Sequence, residues 1–281
     1  MAGLAPMADF WNTDWLTHSA IFWPLRPVAS RLPAIEWPGP ELLSALAKEA
    51  GRVVNAQGKH VRFVPQTNGS SNFEEGFEPR CYLKGEVQVR PLDWHDLFNA
   101  LAWTTFPLTK ATLNARHMQA METETRGSRS PERDALTMFD EDGVSIVSSD
   151  EELLRLVREF RWQELFWEAR ERVVSSMRFL VVGHALYHKA LRPFVGMTGK
   201  AIFLKVPAAF MSLRAAEQIR ETDRLLAAHL GNRTTLNRGR DLAPLPVLGV
   251  PGWWPANTEK TFYDDANYFR PGRRERRDQA S

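Results

Sequence analysis

Between residues 93 and 122 the apolar positions recur with a helical period, but the polar positions do not form an ordinary solvated face. Asp93 is a good N-cap, Asp96 falls in the favourable first turn, and Pro107 ends or kinks the first segment. Within that segment Trp94, Leu97, Phe98, Leu101 and Thr105 share one side at about 100° per residue. His95, Asp96, Asn99 and Trp103 share the other. A solvated side would carry Lys, Glu, Arg or Gln, and residues 94 to 106 contain none. Another element or a ligand cleft is therefore expected to cover it. A second helix, about 108 to 122, has Thr112, Arg116 and Gln119 as its expected outer face. Its apolar sector of Ala111, Leu113, Met118, Ala120 and Met121 is interrupted by Lys110, Asn114 and His117. Buried Lys, Asn and His need partners, since each unpaired polar group is costly. The two polar stripes are either a hydrogen-bond network that sets the angle between two helices or a site between them.

Elsewhere the pattern predicts an α+β fold, with helices around a small, mainly antiparallel sheet. Residues 1 to 40, rich in Trp and Pro, read as a wrapping segment with one short helix. Pro40 to Ala50 reads as a helix closed by Gly51, and Lys59 to Val64 as a strand. Thr67 to Pro79 reads as a polar loop, and Cys81 to Arg90 suits either helix or strand. Ala135 to Phe139 and Val144 to Val147 read as a hairpin around Asp140-Glu141-Asp142-Gly143. Ser149 and Glu152 form a capping-box pattern for a helix at 150 to 160, followed by helical Trp162 to Arg172. Strands are expected at 177 to 182 and 201 to 206, with a short helix at 183 to 191 between them. An amphipathic helix follows, from a Ser212 cap to Leu230. The Pro and Gly spacing from Pro244 onward forbids long elements, so the aromatics there must pack on the rest. One domain over 1 to 272 and a disordered basic tail over 273 to 281 are expected.

Composition narrows the classes. The 281 residues, 43% hydrophobic, suffice for a real core. A net charge of +2 is too weak to imply a nucleic-acid partner, and the Arg-rich tail reads as solvated. One cysteine, Cys81, excludes internal disulfides and any cysteine-based zinc site. The N-terminus lacks the pattern of a signal peptide, and the longest apolar run, Phe179 to Val182, falls far short of a membrane span. A cytoplasmic protein is expected. No Walker A loop, GxGxxG or GxSxG occurs, so no cofactor is implied.

Four features carry candidate chemistry. The acidic turn with Asp140, Glu141 and Asp142 offers oxygens to a hard cation, although its order is not an EF-hand, and Glu141 and Asp142 read as solvated. Arg133 and Asp134 stand at the expected hairpin entry, where a carboxylate can orient a histidine or bind a metal. His184 and His188 have the i, i+4 spacing of a metal pair, but without the Glu of HExxH. His184 also follows an apolar strand and Gly183, a common place for a catalytic side chain.

WHDLFNALAWTTFPLTKATLNARH, RDALTMFDEDG, GHAL, PLPVLGVPGWW and FYDDANYFRP occur in that order. Together they resemble the domain of unknown function 3025 family of bacterial proteins, over about residues 10 to 272. The resemblance implies a bacterial, soluble, single-domain protein and no particular reaction. Its family-typical polar positions fall on His95, Asp96, Asn99, Lys110, Asn114, His117, Arg133, Asp134 and His184, with a different residue expected at His188. The expectation that follows is an enzyme with a polar cleft between the two helices and the hairpin entry, hydrolysis being the expected class. His95 or His117 would act as general base or metal ligand, and Asp96 or Asp134 would orient it or bind the metal. Lys110 and Arg133 would hold the anionic group of a small substrate. The alternative is a non-catalytic protein that binds a partner through exposed Trp residues or its Arg tail.

Overall fold

From Trp11 onward the Trp- and Pro-rich N-terminal stretch is ordered and packs its aromatics on the core. In the computed structural model, which describes residues 11–51, 53–67, 72–124 and 128–272, it forms α1 (Trp15–His18), a 3-10 turn (Ala20–Leu25) and α2 (Arg26–Ala29). Trp15 and Phe22 stack edge-on and flat against Phe98, so this stretch straps one side of the core. The expected tail at 273–281 lies outside the described residues.

Next come α3 (Pro40–Ala50), closed by Gly51 at φ 74°, and β1 (Arg62–Pro65). The expected polar loop is instead a 3-10 turn (Phe73–Glu75) running into α4 (Phe77–Lys84). Gly85 at φ 71° then allows an abrupt switch into β2 (Glu86–Val89), which pairs in parallel with β1.

The helix α5 (Trp94–Thr105) starts where expected, with the Asp93 side chain accepting from Asp96 N. Every residue from Leu97 to Thr105 is buried, which accounts for its missing charges: other elements cover both sides. In α6 (Pro107–Thr123), Lys110, Asn114 and His117 are buried as predicted. Arg116 is buried too, against expectation. Its guanidinium donates to Glu132 and to the carbonyls of Leu230 and Leu236, so it is a structural cross-tie.

The expected first strand of the hairpin is a helix, α7 (Pro131–Asp142). Ser130 caps it by accepting from Arg133 N, Pro131 fits the first position, and Glu132 and Asp134 favour the first turn. Ala135, Leu136 and Phe139 fall on one helical face, a pattern that a short window also lets pass as a strand. Gly143 then opens β3 (Gly143–Ser148), buried at all six positions.

The helix α8 (Glu151–Arg158) is capped by Asp150 rather than Ser149; the Asp150 carboxylate accepts from Glu152 N and Leu153 N. A π-helical turn (Glu164–Glu168) leads to α9 (Arg170–Ser176), β4 (Met177–Val181) and α10 (His184–Ala190). After β5 (Thr198–Lys205), α11 (Ala215–Gly231) begins beyond Arg214, not at Ser212. The last strand is β6 (Ala243–Pro246).

The main sheet has the order β4-β3-β5-β6. Its outer pairings are antiparallel and β3 with β5 is parallel, so the sheet is mixed with an antiparallel majority. Alternation sends Val144, Ile146, Phe179 and Val181 to one face, toward α5 and the N-terminal wrap. Val147, Leu180, Val182 and Ile202 go to the other, toward α6, α7 and α11. The fold is thus α+β, with both faces of the sheet covered. No helix among the described residues is long and apolar enough to cross a membrane.

Candidate functional site

At one end of this sheet two glycines bring two turns into contact. Gly143 starts β3 and Gly183 follows β4, and Gly183 N donates to Gly143 O at 3.0 Å. A Cβ on Gly183 would overlap Gly143 N, Glu141 O and Asp142 N. Only glycine permits that approach, and it sets His184, the first residue of α10, beside the last turn of α7.

His184 is buried, and its Nδ1 lies 2.8 Å from Asp140 O. Since a carbonyl only accepts, Nδ1 carries the proton and Nε2 presents a lone pair. Burial, then the Lys110 charge, pushes the His184 pKa down to about 3, so the ring is neutral. Packing of α10 on α5 brings in His95, whose Nε2 is 3.0 Å from His184 Nε2. Glu141 Oε2 completes a triangle, 3.7 Å from His184 Nε2 and 3.9 Å from His95 Nε2. A point in its plane equidistant from the three atoms lies about 2.1 Å from each, the usual length of a zinc bond to nitrogen or oxygen. Two imidazole nitrogens and one carboxylate oxygen are a donor set for divalent transition metals rather than for calcium or magnesium. The carbonyl that fixes the His184 tautomer is the usual supporting partner of a metal-bound histidine.

The carboxylates of this turn sit at the C-terminal end of α7, the wrong end of the helix dipole, and need compensation. Lys110 reaches from α6 to Asp140, and Lys189 Nζ donates to Asp142 Oδ1 at 2.6 Å. Burial would raise the Asp140 pKa, but the charge and hydrogen bond of Lys110 outweigh it and hold the carboxyl below its ordinary range. Glu141 has no such lysine, and burial pushes its pKa up.

Deeper, Lys110 leads to a second group of polar residues. Asn114 Nδ2 donates to Glu78 Oε2 at 2.6 Å and to Glu78 O at 3.0 Å. His117 Nε2 lies 3.8 Å from Glu78 Oε1, beyond hydrogen-bond length, and its Nδ1 is buried without a partner. Burial raises the Glu78 pKa to about 7, against the Asn114 bond, and lowers that of His117 to about 4. Asn114 Oδ1 and Asn99 Oδ1 are also buried and have no partner among the described residues, and Lys110 Nζ lies 5.7 Å from the centre of the Trp103 ring.

Of the nine residues selected from sequence, His95, His184 and Lys110 meet at the α7 turn, while Asn114 and His117 line the deeper group. Asn99, one helical turn after His95, is buried with no hydrogen bond to either group. Three are engaged elsewhere. Both Asp96 oxygens accept from Arg90; burial would raise its pKa, but Arg90 holds it low. Arg133 pairs with Glu124 at 2.7 Å, and Asp134 is exposed and pairs with Arg129 at 2.9 Å. The hairpin-entry carboxylate therefore orients no histidine; Asp140 and Glu141, six and seven residues later, occupy that position. The i, i+4 pair dissolves likewise, for His188 is exposed and the second imidazole beside His184 comes from α5. Sequence reasoning missed Glu141, set aside as part of a solvated turn, and Glu78, hidden in a stretch read as loop. Reading 131–142 as a helix would have flagged three acids at its unfavourable end; no comparable signal marked Glu78.

No curated protein and no solved structure matches the chain. A family model described as "Protein of unknown function (DUF3025)" matches residues 61–273. That span holds all five segments that carried the resemblance, together with His95, Glu141 and His184, and begins later than the residue-10 boundary inferred from them. The chain belongs to the DUF3025 family.

Proposed function

We propose that this protein is a metal-dependent hydrolase whose metal ion is held by His95 Nε2, His184 Nε2 and Glu141 Oε2. The convergence of these three atoms on one point carries the reading. Three protein ligands leave coordination positions for water and substrate, the pattern of catalytic rather than structural metal sites. A bound divalent ion lowers the pKa of its water and polarises an acyl or phosphoryl oxygen. In such a hydrolysis water adds to the electrophilic atom, the bond to the leaving group breaks, and that group departs with a proton from the water. A purely structural reading accounts for Arg116, whose donors are satisfied by α7 and the chain around Leu230 and Leu236. It accounts poorly for two imidazole Nε2 atoms and a carboxylate aimed at one another at a partly exposed position.

Elemental mass spectrometry of the purified protein, beside Glu141→Gln and a His95→Ala, His184→Ala double variant, tests this. About one transition-metal ion per chain in the parent, lost in both variants, is expected. Chelation should also abolish turnover in a panel of activated esters and phosphoesters. Failure of the parent to take up zinc, manganese, cobalt or nickel when each is offered would refute the metal centre. Metal uptake with no hydrolysis across the panel would refute the reaction class.

A further inference from the structure

A cleft of about 870 Å³ lies along the β5–β6 edge of the main sheet, and it differs in kind from the metal-ligand triangle. Its charged lining residues are Lys200, Arg240 and Arg270, with no acidic residue among them. Among the described residues no hydrogen bond or ion pair engages Lys200 Nζ or the Arg240 guanidinium, and Arg270 donates only from Nε, to Asn267 O. Elsewhere on the described surface cations such as Arg155, Arg158 and Lys189 pair with carboxylates, so three in one cleft without any are a concentration of unspent positive charge. The remaining walls are largely apolar: Phe160, Leu242, Pro244 and Pro246. One wall is built at a conformational cost. Phe160 takes φ 58° just past α8, a left-handed position where glycine is the usual residue. Its ring lies against Trp162 and Gly272, and a Cβ on Gly272 would overlap it. Strain of this kind persists where the surroundings over-determine it and often marks a binding site.

We infer that this cleft binds a phosphorylated small molecule of nucleotide size, with Lys200, Arg240 and Arg270 holding its phosphates and the Phe160–Pro246 walls its apolar body. The volume lies in the range of small-molecule sites, about 300–1,000 Å³. Guanidinium groups match phosphate oxygens two at a time, and lysine adds a point charge. The chain's own end does not suit the cleft, because the segment after Gly272 carries four arginines against two acidic residues and has the same sign. The inference stands without the metal centre, although the two regions share one end of the sheet: Lys200 pairs with Gly143, two residues past Glu141.

Titration calorimetry on the full chain at low salt tests it with three probes: inorganic pyrophosphate, adenosine triphosphate and uncharged adenosine. Saturable triphosphate binding is expected, stronger than that of pyrophosphate, weakened by salt and absent for adenosine. A Lys200→Gln, Arg240→Gln variant should bind at least tenfold more weakly with an unchanged Tm. Should it fail to fold, Arg240→Gln, Arg270→Gln alters only exposed side chains and should lose a similar factor. No saturable binding of either phosphate overturns the inference. So does adenosine binding as tightly as the triphosphate, which makes the cleft apolar in preference. Binding within twofold of the parent in the charge variants places the phosphate outside the cleft and overturns it too.

Discussion

Two polar groups meet at Lys110 and Asp140, and they solve the burial of charge in different ways. In the outer one, His95 Nε2, His184 Nε2 and Glu141 Oε2 converge on one point, and a cation would complete them. In the inner one, Asn114 and His117 face the Glu78 carboxyl, whose pKa burial raises to about 7, so loss of charge rather than pairing relieves it. The outer group thus has the form of a binding site and the inner one that of a support. The difference follows from the cations available. Lys110 is committed to Asp140, and Arg133, the other cation that faces Glu78, is committed to Glu124.

The largest effect is expected where the groups join. Lys110 is 2% exposed, and Lys110→Met would leave the half-buried Asp140 carboxylate without its lysine. Breaking a buried pair from one side costs about 3–5 kcal/mol. Denaturant unfolding should show that loss. The metal affinity should fall as well, since Asp140 O anchors His184. A stability loss below about 1 kcal/mol would mean that the pair is solvated and the groups are independent.

Gly183→Ala tests the outer group through its backbone. The added methyl has no room against Gly143 N and Glu141 O. Overpacking of this kind costs about 1–3 kcal/mol, and the turn must open to relieve it. Metal binding should drop by more than the stability loss alone explains. Intact binding in the alanine variant would show that the glycine contact does not set the triangle.

The inner group is sharpened by pH. The Glu78 carboxyl ionises near pH 7 in the folded chain and near its ordinary 4.5 in the unfolded chain. Below pH 4.5 both states hold the proton and there is no penalty. Between 4.5 and 7 only the unfolded chain ionises, so rising pH lowers stability; above 7 the difference is constant. Glu78→Gln removes this dependence. Its stability relative to the parent should rise by on the order of 2–3 kcal/mol from pH 4 to pH 8. The His117 pKa near 4 works in the opposite direction, stability rising from pH 4 to 6.5, but it is present in both proteins and cancels. A pH-independent difference between the two would mean that Glu78 is ionised in the fold.

How much of this was legible from sequence follows the same division. Helical periodicity located His95, Lys110, Asn114 and His117 because α5 and α6 are long and their polar stripes contradict a solvated face. The position of His184 after an apolar strand and Gly183 marked it locally. Glu141 was hidden by a turn signal: Asp-Gly before an apolar run reads as a hairpin unless the cap at Ser130 and Pro131 is recognised first. Glu78 had no local mark, because its burial is made by α6 packing across α4. The parallel pairing of β3 with β5 and the small β1–β2 sheet were beyond periodicity for the same reason, since register between distant segments leaves no local trace.

The smallest effect is expected at the carboxylate that sequence favoured and the fold moved away. Asp134 is 60% exposed and pairs with Arg129, 47% exposed, at the open first turn of α7. An exposed pair contributes about 0.2–1 kcal/mol, and the favourable position of an acid at a helix N-terminus adds about 0.3–1. Asp134→Asn removes the charge but keeps the shape, so Tm should shift by only a few degrees. Metal content and turnover should match the parent, because the site takes its carboxylate from the other end of the same helix. Glu141→Gln makes an equally small change in volume, with the opposite expectation: little loss of stability and complete loss of metal. If instead Asp134→Asn lost the metal and Glu141→Gln kept it, the site would belong at the N-terminal end of α7, and the outer triangle would be two histidines packed edge to face beside a partly exposed carboxylate.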